Sequence, residues 1–177
     1  GGYSAFRADI TEKCTEEFNT IAIWCSNEKC DAIYPQSADF TFYGGLYRGA
    51  HLICVPETHF ELLHYGDLGI HAATEPASWD KEDFMLHIRT KICGVEKDNQ
   101  VIYQIFDEDG KEVASAARPA DSPDTSIPLY KPHRWDIKNS YQYTLKALIM
   151  RNNECLDEVE LKFGVRTFCC DPGRGFL

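Results

Sequence analysis

Tyr141-Gln-Tyr-Thr-Leu-Lys-Ala-Leu-Ile149 reads as a β-strand more clearly than any other part of the chain. Arg151-Asn-Asn-Glu154 supplies a turn, and Leu156 to Val165 returns as a second strand. Upstream, Gln100-Val-Ile-Tyr-Gln-Ile-Phe106 alternates, and Asp107-Glu-Asp-Gly110 is a turn with glycine placed for positive φ. That predicts a hairpin into Lys111-Glu-Val-Ala-Ser115. Phe84 to Ile92 alternates as well, with Phe84, Leu86, Ile88, Thr90 and Ile92 sharing one face. Ala117 to Pro128, rich in Pro, Asp and Ser, reads as a loop. Strands recurring at this spacing predict a sandwich.

Working outward, Ala72-Ala-Thr-Glu-Pro-Ala-Ser78 is small, polar and proline-bearing, and reads as a linker between two units. The earlier unit carries further strand signals. Tyr3 to Ile10, the dense apolar run Thr20-Ile-Ala-Ile-Trp-Cys25, Leu46 to Val55 and His59 to Tyr65 all read as strands. Thr15 to Asn19 forms one helical turn at most, and no amphipathic helix stands out. The class is all-β.

The chain has 177 residues and a formal net charge of −10. That length allows one or two domains with real cores. The charge excludes a nucleic-acid backbone as partner, since no basic run is present to meet phosphates. No apolar stretch is long enough to cross a bilayer, and no signal peptide is visible. No membrane and no nucleic acid are therefore expected. The eight cysteines contain no C-x-x-C pair and do not space as a zinc site. Several lie in strand-like runs, which predicts reduced, buried thiols of a cytoplasmic protein.

Four segments in order carry a resemblance to a known family. Gly1-Gly-Tyr-Ser-Ala-Phe-Arg-Ala-Asp-Ile-Thr11 and Asp39-Phe-Thr-Phe-Tyr-Gly-Gly-Leu-Tyr-Arg48 come first. Leu129-Tyr-Lys-Pro-His-Arg-Trp135 with Ser140-Tyr-Gln-Tyr-Thr-Leu145 follows, then Glu158 to Arg166 and Gly175-Phe-Leu177. Together they resemble glycoside hydrolase family 2, the β-galactosidases, β-glucuronidases and β-mannosidases. Ser140-Tyr-Gln-Tyr143 stands where the family often has Pro-x-Leu-Tyr. The resemblance implies the later part of a sugar-binding, galactose-binding-like jelly roll over residues 1–76. An immunoglobulin-like β-sandwich over 77–168 follows, and 169–177 becomes a linker toward an absent catalytic barrel. Half a jelly roll exposes unpaired strand edges, so self-association into a homo-oligomer or a missing partner segment is expected.

The same resemblance implies a non-catalytic fragment. The parent enzyme would be a retaining exo-glycosidase, β-galactosidase-like, acting on terminal β-glycosides without a cofactor. Such enzymes use two carboxylates about 5 Å apart, and no residue here matches the family's catalytic motifs. Asp107, Glu108 and Asp109 read as a solvated hairpin tip, and Asp157 to Glu160 as the solvated face of a strand. Asp39 is the candidate substrate-binding residue. Residue type alone favours a turn or cap, whereas the family places this aspartate over the barrel mouth, bonded to a sugar hydroxyl. Arg48 and Arg166 read as structural bridges to carbonyls or carboxylates, and Gly44-Gly45 as a tight bend. Trp24, Trp135 and Tyr143 read as buried. His59 and His64, on opposite faces of a regular strand, do not form a metal pair. The rival readings are a free-standing carbohydrate-binding module and a purely structural immunoglobulin-like domain.

Overall fold

The computed structural model describes residues 4–34, 37–77 and 82–176. The chain divides into two compact units, Gly1–Cys54 and Val55–Leu177. Among the described residues the eleven strands all lie in the later unit: β1 (His59–Phe60), β2 (Ile70–Pro76), β3 (Phe84–Thr90), β4 (Ile92–Cys93), β5 (Gln100–Phe106), β6 (Glu112–Pro119), β7 (Thr125–Leu129), β8 (Tyr143–Arg151), β9 (Glu154–Phe163), β10 (Cys170–Asp171) and β11 (Gly175–Phe176).

Two antiparallel sheets dominate this unit, a three-stranded sheet ordered β2-β3-β7 and a four-stranded sheet ordered β6-β5-β8-β9. Alternation in the sequence sets their faces. Phe84, Leu86 and Ile88 of β3, Val101, Tyr103 and Ile105 of β5, and Leu145, Ala147 and Ile149 of β8 are almost wholly buried in one apolar cluster. Each such large aliphatic or aromatic side chain contributes roughly 1.5–3 kcal/mol of transfer free energy. The central strands β3, β5 and β8 thus carry the core. The face expected for Phe84 to Thr90 is the one observed.

The turns follow the expected chemistry. At the β5–β6 hairpin Gly110 has φ +77. The Asp107 carboxylate accepts the Lys111 amide at 2.8 Å and the Asp109 amide at 3.1 Å. Asn152 and Asn153 both adopt positive φ, 50° and 67°, in the β8–β9 turn. This is the mirror-image turn whose twist suits a hairpin, and asparagine tolerates it better than most residues.

The linker reading of Ala72–Ser78 is corrected. Residues 72–76 form most of β2, paired with β3 from Ile70↔Thr90 to Pro76↔Phe84; Ser78 lies outside the described residues. The loop reading of Ala117–Pro128 shrinks likewise, because β6 runs to Pro119 and β7 begins at Thr125. One cause explains both. Pro76, Pro119 and Pro128 each sit in a strand that pairs on one side only. An edge strand has no partner for half its backbone, so the missing N–H is tolerated there. The tail 169–177, read as a linker, contains the short hairpin β10–β11; Leu177 lies outside the described residues.

The earlier unit differs from expectation more sharply. Among its described residues the one regular element is a 3₁₀ turn at Thr11–Lys13. None of them is buried. The segments read as strands at 20–25 and 46–55 form none, with bends at Tyr47 and Arg48 and positive φ at Gly49, and Tyr3 of the first predicted strand lies outside the described residues. Trp24, expected to be buried, is 93% exposed. A strand forms only where a neighbour accepts its backbone hydrogen bonds and covers its apolar face. The described residues of this unit supply no such neighbour.

Candidate functional site

Asp39 lies in a bend of the earlier unit and is exposed. It precedes Phe40 and Phe42, whose ring centroids are 5.1 Å apart. Gly45 follows with φ +94, so the bend expected at Gly44-Gly45 is present and depends on its second glycine. Arg48 places its guanidinium 5.4 Å from the Tyr47 ring centroid.

In the sandwich unit, Arg166 lies over the Trp135 ring at 4.6 Å. The structure gives both arginines an aromatic partner where a carbonyl or carboxylate was expected. Trp135 is half-buried, a correction to its expected place in the core. Its amide donates to the Val165 carbonyl at 3.0 Å. A Cβ on Gly164 would come within 2.9 Å of the Trp135 Cβ. Tyr143 is buried as expected, and its hydroxyl accepts the His133 amide at 2.9 Å. Burial raises that phenol's pKa.

The acidic residues are structural. Glu108 accepts the Gln142 amide at 3.0 Å, tying the β5–β6 tip to the start of β8. The solvated reading of Asp157 is corrected, because its carboxylate accepts the Phe60 amide at 2.9 Å in a partly buried setting. The thiols depart from expectation too. Cys93 alone is half-buried, while the other seven are exposed rather than buried. Cys93 donates to Glu61 at 3.0 Å. Burial and the neighbouring carboxylate push this thiol up to about 11.

His64, Asp67 and His71 form a cluster that the sequence reading missed. It weighed His64 against His59, but β1 ends at Phe60 and the chain then turns through positive φ at Tyr65 and Gly66. His64 Nδ1 lies 2.8 Å and His71 Nε2 3.0 Å from the same Asp67 oxygen, Oδ2. The other oxygen accepts the Gly69 amide at 2.8 Å. Burial raises the Asp67 pKa, but the His64 bond, the Gly69 amide and the His71 charge outweigh it and leave a lowered value. The spacing H-x-x-D-x-x-x-H was the available signal. Among the described residues no helix is long and apolar enough to cross a membrane.

Comparison with known proteins places these features in a family. The model of glycosyl hydrolases family 2 matches residues 73–166, more than half of the chain. The chain belongs to that family. It is 27% identical to a beta-glucuronidase of Bacteroides fragilis, over 100% of this chain and 27% of the relative. A beta-galactosidase of Bacteroides ovatus is 28% identical over 99% of this chain and 20% of the relative. Among solved structures, an FMN-binding beta-glucuronidase from Facaelibacterium prausnitzii L2-6 matches with a TM-score of 0.79 and 41% identity. That match covers 86% of this chain and 23% of the other. The chain therefore spans about a quarter of the length of such relatives.

Proposed function

We propose that this chain is a non-catalytic part of a retaining exo-glycosidase, cleaving terminal β-glycosides with carboxylates that lie outside these residues. The carrying observation is the family match along the sandwich together with a span of only 27% and 20% of two curated relatives. The unit before Val55 is the end of a sugar-binding jelly roll, and the sandwich unit that follows, with β2 in its three-stranded sheet, is its immunoglobulin-like neighbour in sequence. Asp39 contributes a carboxylate to a hydroxyl of the terminal sugar, where an ionised acceptor makes the stronger kind of hydrogen bond. The exposed Phe18, Trp24 and Leu52 are the surface that a missing segment or a second copy would cover.

Sequence identity of 41% to a beta-glucuronidase supports β-glucuronides as the substrate class. The 28% identity to a beta-galactosidase keeps a β-galactosidase-like enzyme as the second reading. The test compares 4-nitrophenyl β-glucuronide with the β-galactoside on the full-length enzyme; faster turnover of the galactoside overturns the first reading. The 177-residue chain alone should turn over neither substrate. Asp39→Asn in the full-length enzyme should cost about 1–3 kcal/mol in kcat/KM. An unchanged kcat/KM removes Asp39 from the site. The exposed Trp24 ring favours a carbohydrate-binding module as a rival, and calorimetry of the chain with glucuronides and galactosides separates the two.

A further inference from the structure

The His64, Asp67 and His71 donors lie within 4.8 Å of one another. Two imidazoles and one carboxylate form a donor set suited to divalent transition metals. The loop 61–69 supplies His64 and Asp67, and the start of β2 supplies His71. Two features fix the carboxylate between the rings. The Gly69 amide holds its Oδ1, leaving Oδ2 directed at both imidazoles. Gly69 itself has φ +69, and a Cβ there would strike the Glu61 carbonyl oxygen at 2.6 Å, so the loop closes at this point only through glycine.

Two of the three donor separations bear on the choice of ion. With the metal about 2.1 Å from each donor, separations of 2.8 and 3.0 Å subtend angles of about 85–90°. Those are the cis angles of an octahedral or square-planar centre. A tetrahedral centre, which zinc prefers, needs the donors further apart. The cluster is partly exposed, with side-chain exposures of 30%, 24% and 50% for His64, Asp67 and His71, so water can complete the coordination sphere.

We propose that His64, Asp67 and His71 bind a divalent transition ion of nickel or copper type, in octahedral or square-planar geometry, clamping the loop 61–69 to strand β2. The set is a tridentate site on the sandwich unit, and it stands independently of the glycosidase reading. Bound metal cross-links residues on either side of the positive-φ turn, so it stiffens that loop.

The experiment uses tag-free protein and Ni²⁺ alone as the probe, avoiding copper, which would oxidise the exposed thiols. Paramagnetic Ni²⁺ reports by NMR where it sits. Amide signals of residues 63–72 should broaden first and vanish by one equivalent, while those of the β5–β6 tip at Gly110 persist. Calorimetry should show a binding event weakened at least tenfold in His64→Gln and in His71→Gln, and unchanged in His133→Ala. Asp67→Asn, which keeps an oxygen for the Gly69 amide, serves if a histidine variant misfolds, and should show the same loss. Broadening centred on cysteines or another histidine, or equal Ni²⁺ affinity in the wild type and these variants, overturns the proposal. So does Zn²⁺ binding at this cluster more tightly than Ni²⁺.

Discussion

The carboxylate of Asp157 on β9 accepts the backbone amide of Phe60 on β1 at 2.9 Å, across 97 residues of chain. This bond fixes the two-residue strand β1, which pairs otherwise only with β4 through His59↔Cys93 and Phe60↔Ile92. Phe60 is 2% exposed, so its amide has little access to water as a substitute. Asp157→Ala should lower the unfolding free energy of the sandwich by about 1–3 kcal/mol in urea titration. Asp157→Asn should recover part of it by retaining an oxygen acceptor.

Tyr103 places its hydroxyl in the core, 2.7 Å from Thr90 Oγ1 and 2.9 Å from the Pro123 carbonyl. Burial pushes this phenol from 10.0 up to about 12. The folded pKa lies above the unfolded one, so the contribution to stability is complete below pH 10 and disappears as pH rises toward about 12. Ultraviolet titration should show one tyrosine ionising in that upper range. Tyr103→Phe should cost about 1 kcal/mol and remove that late transition.

Gly94 and Gly110 both have positive φ, +63 and +77, but only Gly94 is crowded. A Cβ at Gly94 would meet the Glu57 carbonyl oxygen at 2.2 Å, whereas nothing lies within 4 Å of one at Gly110. Gly110→Ala should therefore cost roughly 1–2 kcal/mol from the backbone conformation alone. Gly94→Ala should cost more, of order 3–5 kcal/mol, because backbone must move as well. Thermal unfolding of the two variants side by side checks the order.

Thiol reactivity should separate Cys93 from its neighbours. Its pKa of about 11 and its bond to Glu61 keep it protonated at neutral pH, where the thiolate is the reactive form. Iodoacetamide at pH 7.5 should label the exposed Cys14 and Cys25 before Cys93, as read by peptide mass spectrometry. Glu61→Gln should speed labelling at Cys93 by removing the adjacent charge.

The sandwich was legible because burial there follows a period of two. Phe84, Leu86 and Ile88, and again Leu145, Ala147 and Ile149, announce their inward face by sequence position alone. The turns were legible because Gly110 and the Asn152-Asn153 pair stand where positive φ is needed. Strands containing Pro76, Pro119 and Pro128 were not, since nothing local distinguishes an edge strand from a loop. The apolar runs of the earlier unit misled in the opposite sense. Thr20 to Cys25 has strand composition, yet pairing is a non-local property that composition does not carry. The candidate site divides in the same way. Asp39 came from family resemblance and is exposed in its bend. Asp157 looked idle because its partner lies far off in sequence. The cluster of His64, Asp67 and His71 was hidden by the expectation of a straight strand, which weighed His64 only against His59 and set the two on opposite faces.

Proline on three rims of the sandwich has a consequence for how this unit behaves at high concentration. An incoming strand that tried to extend either sheet would meet a missing donor on β2, β6 or β7. The remaining rim, β9, carries Glu158 and Glu160, whose carboxylates lie 3.0 and 3.8 Å from Lys146 Nζ, so charged side chains line that rim too. Growth by sheet addition is disfavoured at each of these rims, which lets two apolar sheets stay separate at high concentration.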